Sequence, residues 1–443
     1  FFFFFFLGGG APPPPPPPQD LVYPNGFEPS THSVGGYCSI QLSYGYMLGF
    51  YIITPFFKIC KKYFIFFESY AIIFLKNSGE DIFMEKKTVV VGMSGGGDSS
   101  VAALLLKEQG YDVVGLFMLN WEERGQDGAC TAEEDYADVR RVCALLDIPY
   151  FTVNFAKEYM DRVFSYFLAE YRAGRTPNPD VLCNREIKFA PFKAYAKKLG
   201  GDLIATGHYC GIRREGDKIY LRKAADKNKD QTYFLNQLTQ DQLSGVLFPL
   251  QDMQKAEVRA IAEKYALATA KKKDSTGICF IGERNFRKFL QEYLPAIPGK
   301  ILDANGKEVG EHIGLMYYTI GQRRGLGLGG VHGEDGRWFV LKKDLGHNIL
   351  YVSHGDESPL YSAACEAENF NWIPAMPAEK TFACNAKFRY RQDEQKVLVT
   401  VKDPTHVRIE FEKRQRAVTE GQFAVLYKGD VCLGGGAVAA VEY

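Results

Sequence analysis

The sequence predicts an α/β fold, a parallel sheet wrapped by helices, with a glycine-rich middle and a small β-barrel toward its C-terminal end. Three observations carry this. From Met84 to about Tyr209, β-branched runs alternate with amphipathic segments, the pattern of strands joined by crossover helices. Beyond about Tyr293 the chain turns glycine-rich. From about Ala367 it breaks into short strand-like runs separated by turn residues, which reads as a small barrel. Residues 84–292 are therefore expected to form a first domain, 293–362 a central linking domain and 363–443 the barrel.

Taken in order, Val89, Val90 and Val91 read as a short buried strand, followed by a glycine-rich turn and an apolar segment that closes on Gly110 as a helix with a glycine after its end. Tyr111 to Leu119 is a second strand. In "TAEEDYADVRRVCALLDI", Thr131 and Glu134 form a capping box, and Val139, Val142, Leu145 and Leu146 are expected on one helix face, with Cys143 a core cysteine. Pro149 to Phe155 is a third strand, and Asp202 to Tyr209, after a helix ending at Gly200 and Gly201, is a fourth. In sheets of this kind ligands bind beyond the carboxyl ends of the strands. The C-terminal strands are expected in "EKTFACNAKFRYRQ", "KVLVTV", "HVRIEFE" and "QFAVLYKGDVCLGGGAVAAVEY".

Composition excludes several classes. Lys plus Arg and Asp plus Glu are each 53, so the whole-molecule field does not drive nucleic-acid binding, and any such binding must come from local basic clusters. Ten cysteines in 443 residues are too sparse for a disulfide scaffold, and no C-x-x-C or zinc spacing occurs, which suits a reducing, cytoplasmic setting. The opening "FFFFFFLGGGAPPPPPPPQ" has no period from which to build a core. The apolar run after it is broken by Pro55, Lys58, Lys61, Lys62 and Glu68, short of the roughly 18 uninterrupted residues of a spanning helix. Residues 1–83 are read as an extension outside the fold, with Met84 the natural start and no membrane role.

The glycine turn is the first chemical signal. A strand-to-helix turn leaves backbone N–H groups at a helix N-terminus, where phosphate binds. The P-loop pattern fails for want of a lysine in the loop, and the dinucleotide fingerprint fails on glycine order. What stands is Ser94, Gly95, Gly96, Gly97, Asp98, Ser99, which resembles the pyrophosphate loop of the ATP pyrophosphatase superfamily. Asp98 is the candidate partner for magnesium, a hard cation that prefers carboxylate and phosphate oxygens. Two cysteines add a second signal. "GRTPNPDVLCNREIKF" reads as a loop by its prolines and carries Cys183 near Asp180, Arg185 and Lys188, while "KKKDSTGICFIGERNF" carries Cys279 after a basic triplet. Thiols in basic surroundings are prone to react.

With "GMSGGGDSS", "TPNPDVLCN", "ATGHY", "KDQTYFL", "STGICFIG", "YTIGQRRGLG", "RYRQ" and "CLGGG", the chain from Met84 to Tyr443 resembles the bacterial tRNA-specific 2-thiouridylase family. The resemblance implies a Rossmann-like parallel sheet bearing a PP-loop, ATP with magnesium as cofactors, and adenylation of O2 of the wobble uridine of tRNA before sulfur replaces it. It implies an ATP site at Gly92, Met93, Ser94, Gly95, Gly96, Gly97, Asp98 and Ser99, closed by Met118 and Gly207. Asn178, Pro179 and Asp180 would meet the target base, with Asp180 the acid/base, Cys183 the nucleophile and Cys279 the persulfide carrier; the two cysteines would form a transient disulfide. His208, Lys229, Asp230, Gln231, Arg389, Tyr390 and Gln422 would contact tRNA. Expected partners are lysine, glutamate and glutamine tRNAs and a protein that donates persulfide sulfur.

"KFRYRQ" interleaves Arg389 and Arg391 with Tyr390, a pattern that suits phosphate contact with base stacking or, on an edge strand, plain solubility. The loop departs from the family at Gly97, where valine is usual; extra backbone freedom there weakens a preorganised cradle by something like 1 kcal/mol. Other synthetases of the superfamily, for argininosuccinate or guanylate, would explain the loop and not the cysteines. Iron–sulfur tRNA thiolases would need clustered C-x-x-C. A non-catalytic tRNA-binding relative would keep the barrel and basic runs without ATP turnover.

Overall fold

The computed structural model describes residues 86–121, 131–273, 286–329 and 336–443. The extension 1–83, the Thr131 side chain and Cys279 lie outside the described residues. Among the described residues no helix is long and apolar enough to cross a membrane.

The first domain holds β1 (Thr88–Met93), β2 (Asp112–Leu119), β3 (Tyr150–Asn154), β4 (Leu203–Ala205), β5 (Cys210–Glu215), β6 (Lys218–Lys223) and β7 (Val246–Leu247). Five of these pair in parallel in the order β3-β2-β1-β4-β7. Both faces are covered, which is why the valine run has no polar alternation: Val89 and Val91 pack into one core and Val90 into the other. On the Val89 side lie α1 (Gly97–Glu108) and α2 (Thr131–Leu146). On the other side runs α3 (156–172), helical throughout with a π-helical Met160–Phe164. The short α4 (Pro179–Cys183) and α5 (Pro191–Lys198) follow, then α6 (Lys255–Lys264) and α7 (Phe286–Tyr293).

Two expectations for this domain change. Leu145 is 54% exposed, because Val139, Val142, Cys143 and Leu146 form one stripe at three- and four-residue spacing and Leu145 falls about 100° away from it. Cys143 is fully buried, as expected of a core cysteine, and burial pushes its thiol up to about 11. The fourth strand stops at Ala205, and Thr206 to Tyr209 leave the sheet as a loop over its edge.

The middle of the chain forms a four-stranded sheet, β10-β11-β8-β9, from β8 (Gly299–Leu302), β9 (Glu308–His312), β10 (Trp338–Asp344) and β11 (Ile349–His354). The last six strands, β12 (Tyr361–Trp372), β13 (Thr381–Lys387), β14 (Gln395–Asp403), β15 (His406–Arg416), β16 (Phe423–Lys428) and β17 (Val431–Glu442), run β12-β15-β14-β13-β16-β17 and close through β12 on β17. The β5–β6 hairpin of the first domain extends this sheet at β17, a link that no local pattern announces. Phe388 to Gln392 form the turn between β13 and β14 and not an edge strand, so the solubility reading of "KFRYRQ" does not apply.

Candidate active site and its supports

The sheet order reverses between β1 and β4, and the loops from these two strands meet there. The turn after β1 is internally tied: Ser94 N–H donates to Ser99 Oγ at 3.2 Å, Gly96 N–H to Ser94 Oγ at 3.4 Å, and Ser100 Oγ to the Gly96 carbonyl at 2.8 Å. Gly96 caps α1 with no side-chain hydrogen bond, which leaves first-turn N–H groups for an anion. Two glycines are obligatory for contact. Gly95 has φ +73°, and a Cβ there would lie 2.6 Å from the Asp135 carbonyl of α2. A Cβ on Gly207 would lie 2.8 Å from Ser99 N and 2.9 Å from the Asp98 carbonyl carbon. The β4 loop therefore packs directly on the glycine turn at Gly207. Gly97 differs: its Cβ would meet only the Thr269 carbonyl, at an ordinary 3.5 Å.

Asp98 is already engaged. Lys255 Nζ lies 2.6 Å from its Oδ1, and the Tyr209 hydroxyl donates to the same oxygen at 2.9 Å. Thr269 Oγ1 donates to Ser100 Oγ at 3.1 Å, and Lys272 bridges Asp135 and Asp138, each at 2.6 Å. Sequence reasoning missed all four of these partners. Lys255 carried a signal: it opens α6, where the helix dipole disfavours a cation, so it needs an anion from elsewhere. Met118 stands near the carboxyl end of β2, next in the sheet to β1.

The second part of the site is helical from Pro179 to Lys188, which corrects the loop reading of Gly174–Phe189 over those residues, while Arg175 to Asn178 stay outside any helix. Pro179 takes the first position of α4, where a missing N–H costs nothing, and the chain continues as a π-helical turn over Asn184–Lys188. Asp180 and Cys183 are three residues apart on this helix, hence on neighbouring positions of one side. Cys183 is 2% exposed and belongs to an apolar core with Val181, Leu182 and Ile187. Arg185 is turned to Glu186 at 2.7 Å and Gln237 at 2.9 Å, so the expected basic neighbour is committed elsewhere. Burial raises the Asp180 carboxyl above its ordinary value against the opposing pull of Lys188. Burial, and then the same Lys188, hold the His208 imidazole well below its ordinary value; its Nδ1 lies 2.8 Å from Thr206 Oγ1 and its ring packs by Phe189 and Phe248. The Phe189 ring, just after the π-helical turn, thus brings this segment against His208 of the β4 loop.

The stretch leading into α4 is held from outside. Gln422 Nε2 donates to the carbonyls of Thr176 at 2.8 Å and Pro177 at 3.3 Å, and Thr176 N–H donates to the Glu420 carbonyl at 2.9 Å. Lys343, pulled down to about 8 by burial, donates to the Gly174 carbonyl at 2.8 Å. Asn178 then caps α4 without a side-chain bond to it, and its Oδ1 and that of Asn184 are buried and unpartnered.

Three of the residues expected to contact tRNA have partners within the chain. Gln422 gives its amide to the 176–177 backbone. Asp230 is 5% exposed, its carboxylate accepting from Ala224 N–H at 3.1 Å and Thr232 Oγ1 at 2.7 Å, so its side chain organises a turn. Gln231 Oε1 accepts from Tyr209 N–H at 2.9 Å. The Tyr390 ring centroid lies 4.4 Å from that of Phe234, and its hydroxyl donates to the Lys229 carbonyl at 3.5 Å, so Tyr390 and Lys229 meet between the barrel and the first domain. Arg389 remains exposed while donating to the Ala417 carbonyl at 2.6 Å.

Residues 87–283 match the family described as tRNA methyl transferase HUP domain, 287–354 the tRNA methyl transferase PRC-barrel domain, and 362–438 the aminomethyltransferase beta-barrel domain. Over 356 residues the chain is 59% identical to the tRNA-specific 2-thiouridylase MnmA of Streptococcus sanguinis, covering 80% of this chain and 95% of that one. The protein of the same name from Lactococcus lactis subsp. cremoris is 58% identical over 351 residues, 78% of this chain and 93% of that one. Among solved structures, the U34-tRNA thiolase of Methanococcus maripaludis is similar at a TM-score of 0.30 and 21% identity, over 49% of this chain and 70% of that one.

Proposed function

The chain belongs to the tRNA-specific 2-thiouridylase family, and we infer that it activates the wobble uridine of a tRNA with ATP and installs sulfur at C2. The observation that carries this beyond family membership is the closure of Gly207 on the uncapped start of α1, with the segment that follows Cys183 packed on the same loop through the Phe189 and His208 rings. The domain descriptions speak of methyl transfer, whereas the relatives that match nearly end to end are thiouridylases, and a paired-thiol chemistry is what Cys183 and Cys279 supply.

Uracil O2 is a poor leaving group. Its attack on the α-phosphorus of ATP makes it part of AMP and releases pyrophosphate, whose charge the α1 N-terminus would offset. The Asp180 carboxyl, raised by burial, is suited to exchange a proton with the base during activation. The terminal sulfur of a persulfide on Cys279 then bonds to C2 and AMP departs. Cys183 takes the remaining Cys279 sulfur, giving 2-thiouridine and a Cys183–Cys279 disulfide that an external dithiol must reduce. The described flanks of the Cys279 segment suit this: Lys272 is tied to α2 beside the phosphate turn, and Phe289 packs on Trp121 at the end of β2. Magnesium arriving with ATP takes mostly phosphate oxygens and one or two carboxylates; Asp98 is the carboxylate of the loop, held through Oδ1 by Lys255 and Tyr209. Lysine, glutamate and glutamine tRNAs, a persulfide-donating protein and a cytoplasmic setting complete the reading.

The test is nucleoside mass spectrometry on unmodified tRNA incubated with the protein, ATP, magnesium and a persulfide donor. ATP-dependent 2-thiouridine is expected, with product reduced at least 100-fold in Cys183→Ala while ATP still binds. Absence of product from the parent protein, or full activity of Cys183→Ala, overturns the assignment.

A further inference from the structure

The motif "YTIGQRRGLG" has no role in the chemistry above, yet it builds a surface feature. Gly321, Gln322, Arg323 and Arg324 line an open groove of about 700 Å³, facing Glu357 and Arg416 from the start and end of the barrel region. The loop is fixed in shape. Gly321 has φ +78° and packs so closely on Ala417 that a Cβ would stand 2.7 Å from that side chain. Gln322 receives Thr319 N–H at 3.0 Å, donates to the Arg324 carbonyl at 2.9 Å, and its own carbonyl accepts Val340 N–H at 3.0 Å. Every polar group of Gln322 is therefore spent on holding the two arginines out.

The charge balance is one-sided. Among the described residues, the exposed Arg323 and Arg324 side chains have no carboxylate or hydrogen-bond partner. Arg416 lies over the Phe339 ring at 5.4 Å and pairs with Glu357 at 2.5 Å, the one carboxylate lining the groove. The cluster continues: Arg389 bonds the carbonyl of Ala417, next to Arg416, and is close enough for Arg416 to repel its charge. Arg389 neighbours Tyr390, which reaches the Lys229 carbonyl of the first domain. Four arginines against one glutamate thus run from the middle domain to the barrel and on toward the loop over β4. Two free guanidinium groups on a fixed loop, beside Arg416 and Arg389 with a single carboxylate among the four, are suited to phosphodiesters, which they bind in a fork. Sequence cannot be read this way, since no base edge is addressed.

We propose that the Arg323–Arg324–Arg416 groove is a phosphate-backbone site for the tRNA, separate from the target-base site and continuous with Arg389. It rests on the tRNA reading above and adds where the body of the substrate is gripped.

Arg323→Ala/Arg324→Ala tests this, because both side chains are exposed and their loop is held by the Gln322 bonds. With full-length tRNA, affinity near 0.1 M salt is expected to fall about 10-fold, and the slope of log K against log salt to shrink by about 1 to 2. KM for tRNA should rise with kcat at saturating tRNA unchanged, Arg323→Lys/Arg324→Lys should restore most of the slope, and Glu357→Gln should tighten binding. Unchanged affinity and slope in the double alanine variant of a protein that makes 2-thiouridine overturn the groove alone. A parent protein that neither binds tRNA nor thiolates it overturns both readings, and a lowered kcat with the salt slope intact would mark the loop as structural and also overturn the groove.

Discussion

The turn from Gly92 to Ser99 and the stretch from Gly174 to Lys188 are the two parts of the proposed site, and they are made in opposite ways. The first is tied mainly by its own atoms: the Ser94, Gly96 and Ser99 bonds fall within the turn, and Ser100 adds one to the Gly96 carbonyl beside the one it accepts from Thr269. The second has its entry held by the middle domain through Lys343 and by the barrel through Glu420 and Gln422. A phosphate cradle needs only a strand, a glycine turn and a helix, so a contiguous segment suffices. A base taken from an anticodon must meet a thiol helix set relative to the surfaces that hold the rest of the RNA, and an entry tethered to two later domains provides that registration.

The largest way to break this division is at the contact between the two loops. Gly207→Ala puts a methyl 2.8 Å from Ser99 N, against backbone on both sides, where overpacking costs roughly 1–3 kcal/mol and relief must displace the cradle. ATP affinity is expected to drop at least 10-fold by calorimetry, with tRNA affinity unchanged. Retained ATP affinity would show that the β4 loop does not close on the nucleotide.

The second region should fail differently. Gln422→Ala removes the donor to the Thr176 and Pro177 carbonyls, a loss of about 1 kcal/mol for the bonds, and frees the entry to α4. Thiolation kcat is expected to fall 5- to 20-fold while ATP affinity stays within 2-fold. If tRNA affinity falls instead and kcat holds, Gln422 contacts RNA as the sequence suggested and its observed bonds are those of the free protein only.

This contrast also explains what was legible. The parallel sheet, the barrel and the glycine turn between β1 and α1 follow from periodicity and glycine placement, all short-range signals. So does the core fate of Cys143, on a helix stripe that three- and four-residue spacing defines. The intrachain partners of Asp230 and Gln422, Thr232 and Ala224 in one case and a segment 246 residues earlier in the other, could not be read from the sequence because they are set by tertiary placement. Two prolines in "TPNPDVLC" suggested a loop, and only the position of Pro179 at a helix start reconciles them with α4. The β5–β6 strands were invisible for the same reason: they earn their place by pairing with β17.

The smallest effect sharpens the first region. Gly97 is the residue at which the chain departs from the usual valine, and the sequence alone suggests a weakened cradle. The structure gives that glycine an ordinary helical start: it opens α1, its φ is not in the left-handed region, and a Cβ would find only the Thr269 carbonyl at 3.5 Å. Neighbouring Gly95 and Gly207 have no such room. Gly97→Ala is therefore expected to stabilise the protein by about 0.4–1 kcal/mol through the unfolded chain, measured by denaturant unfolding, and Gly97→Val to change ATP affinity by less than about 3-fold. A large gain in thiolation with valine would mean that glycine costs this enzyme its preorganisation. A large loss would mean that the cradle has come to depend on the smaller residue, and that the sequence around Thr269 has adapted to it.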